Sequence, residues 1–196
     1  MDNNYFEGNK KLELIYMGLY YETKKIKPKN IVDLGTGCGS CAIAMARALQ
    51  ELDNGGKIYS FDLDKMTGGS QMREGTALSE VNKKFSDREL ESFIITTGGD
   101  VFKTWVQNPT DFDLLYIDLD NTWDKIYNVV MGNDFITSKI REGTPTFIEG
   151  GHPMHPRMNE QTLRNFNNEN FNSEDGVFTF DCLYGDRISL SRLTLL

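Results

Sequence analysis

Residues 32–40 read VDLGTGCGS, with Gly35, Gly37 and Gly39 at alternate positions and Asp33 two residues before the first of them. Glycine has no Cβ, so such a run lets the backbone turn sharply and lets a ligand lie against it. A turn that presents helix N-terminal amides to a pyrophosphate spaces its glycines GxGxxG. Here the third glycine falls one place early, and the carboxylate beside the turn suits a cationic ligand. Acidic residues also follow four later apolar runs. Asp62 and Asp64 come with KIYSFD, Asp100 after SFIITTG, Asp118 at the end of DFDLLYID and Glu149 near the end of TPTFIEG. His152 stands three residues beyond Glu149. Carboxylates are the ligands of hard dications, and an unperturbed imidazole titrates near roughly pH 6.5, which suits proton transfer.

Those residues can cooperate only if the elements between them bring them to one place. Leu12, Ile15, Tyr16 and Leu19 recur at helical spacing, which predicts a helix over 9–24 that stops before Pro28. NIVDLG (30–35) is a short buried strand, followed by a helix over 40–52 with Ser40 as its expected N-cap. A strand over 57–62, a glycine-rich loop over 66–75 and a helix over 76–91 with a break near Ser86 come next. Then come a strand over 92–98, a short helix over 100–107 ended by Pro109, and a strand over 111–118. A helical stretch over 121–140 is interrupted at Gly132 and leads to a strand over 144–150. A short helix over 158–167 precedes two β-rich runs around Gly185-Asp186, which read as a hairpin.

Alternation of strand and helix predicts an α/β fold, a doubly wound and mostly parallel sheet, here with a C-terminal antiparallel β-hairpin. In such sheets ligands sit at the carboxyl ends of the strands. Asp33 to Gly39, Asp62 to Asp64, Asp100, Asp118 to Asn121 and Glu149 to His152 then share one crevice.

The chain has 196 residues, 39% of them hydrophobic and 26% charged, the mix of a folded domain rather than a disordered one. A chain of this size buries roughly 70% of the surface its unfolded form exposes, so it needs no staples. A net charge of -8 opposes phosphate backbones and argues against a nucleic-acid partner. No apolar run approaches the roughly 18 residues of a membrane span, and MDNNYFEGNKK lacks a secretory signal's apolar stretch. Cys38, Cys41 and Cys182, an odd count, read as reduced thiols of a cytoplasmic protein.

The strand ending in Asp33-Leu34-Gly35-Thr36-Gly37-Cys38-Gly39 resembles the first motif of class I S-adenosylmethionine-dependent methyltransferases. Asp62, 23 residues after Gly39, fits the acidic residue that in this family ends the second strand and holds the ribose hydroxyls, with Asp64 as its competitor. Asp100 fits the polar residue near the adenine, and the terminal hairpin fits the family sheet. The resemblance covers 30–196. It implies a Rossmann-like methyltransferase whose donor, S-adenosyl-L-methionine, is held by Asp33, Gly35, Thr36, Gly37, Gly39, Asp62, Asp64 or Asp100, with Asp118 close by. Residues 1–29 would be a helical segment or lid on this catalytic domain.

FDLLYIDLDNTWD and TFIEGGHP further resemble metal-dependent O-methyltransferases of the catechol and caffeoyl-CoA types, and their bacterial macrocin and cephalosporin-hydroxylase-like relatives. That likeness implies a divalent cation, Mg²⁺ or another, on Asp118 and Glu149. It also implies a small hydroxylated acceptor and, as in many relatives, a homodimer. A dication lowers the pKa of a bound hydroxyl. Two positions depart from the pattern: Gly150 stands where relatives place another ligand, and Asn121 where they place a lysine. His152 suits either role, as third ligand or as catalytic base beside Asp118. A metal-independent N- or O-methyltransferase and an inactive donor-binding protein are the alternatives.

Other features have plainer readings. Asp118 and Asp120 are also good caps for the following helix. Cys38-Gly39-Ser40-Cys41 has CxxC spacing, but no second pair supports zinc or redox chemistry. His152 and His155 lack further ligands at zinc spacing. Trp105, Trp123 and the tyrosines at 16, 20 and 21 read as packing residues, the tyrosines in core or lid.

Overall fold

A computed structural model of the protein describes residues 13–64, 77–119, 123–150, 178–184 and 190–195. The elements are α1 (Glu13–Ile26), β1 (Asn30–Leu34), α2 (Ser40–Leu52), β2 (Lys57–Asp62), α3 (Leu78–Ser86) and β3 (Ile94–Gly98). After a π-helical turn at Phe102–Val106 come β4 (Leu114–Ile117), α4 (Trp123–Met131), α5 (Asp134–Arg141), β5 (Thr146–Glu149), β6 (Phe178–Tyr184) and β7 (Leu190–Leu195).

The seven strands form one sheet in the order β3-β2-β1-β4-β5-β7-β6. β1 to β5 run parallel, and β7 runs antiparallel to both β5 and β6. The order reverses between β1 and β4, which makes their carboxyl ends the switch point where such sheets bind ligands. β1 and β4 are buried almost throughout because helices cover both faces.

Each face has its own core. Ile31, Leu114, Tyr116 and Phe147 point towards α1, α2 and α3, joining Ile15, Leu19, Met45, Leu49 and Phe85. Their alternates Val32, Leu115, Ile117 and Ile148 meet Trp105, Phe112 and the apolar sides of α4 and α5. Successive strand side chains point to opposite faces, so every residue on this crevice inherits its side from this alternation. α1 is a working part of the first layer: Ile15, Tyr16, Leu19 and Tyr20 are buried, and Tyr20 donates to Glu51 on α2 at 2.6 Å.

Three local expectations differ from the structure, and a fourth is met. The N-cap of α2 is Gly39, not Ser40, whose hydroxyl instead lies 3.1 Å from the Cys38 sulfur. The helix expected over 100–107 is a wide five-residue turn that seats the Trp105 ring 5.7 Å from that of Phe112. The interruption expected at Gly132 is present: α4 ends at Met131 and α5 begins at Asp134, where Asn133 caps it by accepting from the Phe135 amide at 3.0 Å. The strand expected over 92–98 begins only at Ile94, after a turn in which Phe93 N–H donates to the Leu90 carbonyl. The loop 66–75, the helix 158–167 and the hairpin turn at Gly185-Asp186 lie outside the described residues. Among the described residues no helix is long and apolar enough to cross a membrane.

Candidate functional site

The glycine turn leaves β1 at the switch point, and its first two glycines serve different needs. Gly35 has φ +105°, and a Cβ there would sit 2.1 Å from the Asp118 carbonyl oxygen. It lets the ends of β1 and β4 close on each other, where the Asp118 amide donates to the Leu34 carbonyl at 2.8 Å. Gly37 has φ +52°, yet among the described residues a Cβ there would meet nothing nearer than the Gly35 carbonyl oxygen at 3.9 Å. Its surroundings are uncrowded there, as a ligand-facing position requires.

Beneath the turn, Asp33 is wholly buried. Ser60 Oγ on β2 donates to its Oδ2 at 2.6 Å, and Thr36 Oγ1 lies 2.7 Å from Ser60 Oγ. The other Asp33 oxygen, Oδ1, is buried with no hydrogen-bond partner among the described residues. Burial, partly offset by the Ser60 bond and reinforced by the charge of Asp62, raises the Asp33 carboxyl to about 7. A buried acceptor without a donor costs free energy, and a cationic ligand group would remove that cost. These residues therefore fit a donor such as S-adenosylmethionine.

Asp62 ends β2 beside the turn. Its Oδ2 accepts from the Gly37 amide at 2.7 Å and its Oδ1 from the Leu63 amide at 2.7 Å. A carboxylate offers several acceptor positions, so Asp62 is of a type that can accept ribose hydroxyls. Asp64 turns the other way: a Cβ on Gly98 would lie 1.8 Å from its Oδ1, which places Asp64 against the end of β3. Of the two competitors, Asp62 is the one tied to the glycine turn. Asp100 is exposed and caps the turn after β3, accepting from the Phe102 amide at 3.1 Å.

Asp118 follows β4 and Glu149 ends β5, two strands whose register pairs Ile117 with Ile148. Continued by one residue, that register sets Asp118 beside Glu149. Glu149 is 3% exposed. Both carboxylates act on a buried pair below them, Cys41 on α2 and Tyr116 on β4, whose sulfur and hydroxyl oxygen are 3.5 Å apart. Burial first, then the charge of the Cys41 thiolate form and of Asp118 and Glu149, pushes the Tyr116 phenol up. Burial, then Asp118, pushes up the Cys41 thiol, whose sulfur lies inward although the residue is half-buried. A thiol pushed up in this way is a poorer nucleophile than an ordinary one.

Two acidic side chains on adjacent strand ends are a fitting start for a hard dication. Among the described residues no three His, Cys, Asp or Glu side chains gather to complete such a site. His152, Asp120 and Asn121 lie outside the described residues. Sequence reasoning singled out neither Ser60 nor Tyr116. The signal available for both was a hydroxyl inside an otherwise apolar parallel strand.

A family model described as a methyltransferase domain matches residues 32–150. The match takes in the glycine turn and all five parallel strand ends and spans more than half of the chain. The chain belongs to that family and is a class I S-adenosylmethionine-dependent methyltransferase. Comparison with curated protein sequences finds no match. Solved structures are similar in fold. A methyltransferase from Podospora anserina, bound to S-adenosylhomocysteine, has a TM-score of 0.63 at 13% identity, over 91% of this chain and 76% of its own. An O-methyltransferase from Bacillus cereus, in complex with S-adenosylhomocysteine, has a TM-score of 0.60 at 14% identity, over 93% and 80%. The O-methyltransferase of tomaymycin synthesis from Streptomyces achromogenes, in complex with S-adenosylmethionine, has a TM-score of 0.58 at 15% identity, over 92% and 79%.

Proposed function

We propose that this chain moves the methyl group of S-adenosylmethionine to a hydroxyl oxygen of a small acceptor. The observation that carries the donor half is the glycine turn itself. An uncrowded Gly37, its amide held by Asp62, stands above a buried Asp33 with an oxygen left over among the described residues. Asp62 would take the ribose hydroxyls and Asp100 would stand near the adenine. The side chain of Asp33 supplies a negative charge to balance the net positive charge of a donor that carries an ammonium, a sulfonium and one carboxylate.

The acceptor half rests on Asp118 and Glu149 at neighbouring strand ends. The acceptor oxygen gives up its proton, attacks the methyl carbon in line, and the C–S bond breaks with its electron pair passing to sulfur. The product is a neutral thioether, S-adenosylhomocysteine. Asp118 and Glu149 would hold a divalent cation with His152, and that cation supplies acidity to the acceptor hydroxyl when bound. In its absence Asp118 and Glu149 still orient the hydroxyl, and His152 takes the proton. Alignment of this kind is worth up to roughly 7–11 kcal/mol. The O-methyltransferases similar in fold support an oxygen acceptor.

The test is a calorimetric titration of S-adenosylhomocysteine with and without Mg²⁺. It is followed by assay of S-adenosylhomocysteine release over a panel of phenols and sugars. Micromolar binding, and release that chelator abolishes, is the expected result. Full release in excess chelator overturns the metal role, and binding without release on any hydroxyl overturns the O-transfer reading.

A further inference from the structure

β2 is a parallel strand buried between two layers, where an apolar residue is the norm at each inward position. KIYSFD instead places Ser60 at 0% exposure in its middle. A buried hydroxyl is costly unless its hydrogen-bonding capacity is used, and Ser60 uses both halves of it. When Asp33 is ionised its carboxylate only accepts, and the Ser60 proton goes to Oδ2 at 2.6 Å. The Ser60 lone pair is then open to the Thr36 hydroxyl at 2.7 Å. Both distances are at the short end for hydroxyl bonds. The chain Thr36 to Ser60 to Asp33 has one direction and joins the glycine turn, β2 and β1.

We infer that Ser60 is a positioning residue of the donor site, whose hydroxyl, oriented by Thr36, fixes one oxygen of Asp33 and leaves the other for the cationic end of the donor. This rests on the donor reading given above. Three further observations support it. Asp33 pairs with Ser60 in the β1–β2 register and with Tyr116 in the β1–β4 register, so its side chain is confined from both sides. Its Oδ1 is buried and unpartnered among the described residues. The groups that act on it or face it are Ser60 and Asp62 from β2, Cys41 from α2 and Tyr116 from β4. All are neutral or negative. Among the described residues Asp33 therefore has no cation of its own there. A cation arriving at Oδ1 favours the charged carboxylate, and so does the Ser60 bond.

The experiment is S-adenosylhomocysteine calorimetry from pH 6 to 8.5, as order-of-magnitude bounds about the Asp33 titration. Each titration is run in two buffers of different ionisation enthalpy, on the wild type, Ser60→Ala, Ser60→Thr, Ser60→Cys and Asp33→Asn. The probe keeps the α-ammonium of the donor. The wild type should bind more tightly as pH rises through the Asp33 titration and release a proton on binding. Ser60→Ala should bind about tenfold more weakly at neutral pH, with its pH profile moved upward. Ser60→Thr should restore both. Asp33→Asn should lose the pH dependence. If Ser60→Ala does not fold, Ser60→Cys, close in shape and a weak donor, should show the same shift in smaller measure. A folded Ser60→Ala or Ser60→Cys with wild-type affinity and profile overturns the inference alone. A wild type that binds no S-adenosylhomocysteine at any pH overturns the donor reading and the inference with it.

Discussion

The amide of Gly37 donates to Oδ2 of Asp62 at 2.7 Å, so the crown of the glycine turn is held by the last residue of β2. The bond joins two places that the sequence separates by an entire helix. Truncating Asp62→Ala leaves the Gly37 and Leu63 amides without their charged acceptor. Hydrogen bonds to charged groups are worth about 1.5–3 kcal/mol when buried, and less here because the site is half-open. We expect a loss of about 1 kcal/mol in stability by urea unfolding. Affinity for S-adenosylhomocysteine should fall by more than about tenfold, because the ribose acceptor goes as well. Unchanged affinity would move the ribose role to Asp64.

Gly35 and Gly37 should answer the same substitution in opposite ways. Gly35→Ala drives a Cβ to 2.1 Å from the Asp118 carbonyl, a backbone atom that cannot swing aside. Overpacking and left-handed strain together should cost about 2–4 kcal/mol. Among the described residues Gly37→Ala meets no atom within 3.4 Å, its nearest neighbour being 3.9 Å away. It should lose only about 1–2 kcal/mol to backbone strain while abolishing donor binding. Urea midpoints set beside calorimetry on both variants check this. Equal destabilisation would mean that the turn has one role throughout.

The parallel frame was legible because it rests on local signals. NIVDL, KIYSFD and SCAIAMARALQEL coincide with β1, β2 and α2, since apolar runs between glycines and acidic ends leave little choice of element. The family resemblance read from Asp33 and the glycine spacing also holds. What stayed hidden depends on partners remote in the chain. Ser60 gains meaning only from Asp33, 27 positions away. Tyr116 meets Cys41 across 75 positions. Each looks like a tolerated polar residue until the sheet register sets them together. The π-helical turn carried no signal either, since Val101, Trp105 and Val106 suit a helical stripe equally well.

Tyr20 ties α1 to α2 through its hydroxyl, which donates to Glu51 Oε2 at 2.6 Å, with Lys24 Nζ 3.0 Å from the same oxygen. The Tyr20 bond first and Lys24 second hold the Glu51 carboxyl below its usual range. A depressed carboxylate contributes stability above its unfolded pKa, and that contribution is lost as pH falls through the folded value. Tyr20→Phe should therefore cost about 1 kcal/mol at neutral pH. The cost should shrink towards zero on acidification below the ordinary glutamate pKa. Thermal unfolding of both proteins at pH 7 and at pH 3 measures it, and a cost independent of pH would assign the loss to packing.

Asp33 should make the free protein less stable as pH rises. Its carboxyl is raised from 3.8 to about 7, with burial as the leading cause. Between those values the folded state keeps a proton that the unfolded state has released. The stabilising difference is thus complete below the unfolded pKa and is lost as pH climbs through the folded one. The slope in that window is at most roughly 1.4 kcal/mol per pH unit. Asp33→Asn removes the titration, so wild type minus variant should fall from pH 5 to pH 7 and then level off. Saturating S-adenosylhomocysteine should flatten the wild-type slope, because its ammonium favours the charged carboxylate. A flat difference without ligand would mean that a cation already neutralises Asp33 in the free protein. The glycine turn would then have to recognise its donor by shape and the Asp62 bonds alone.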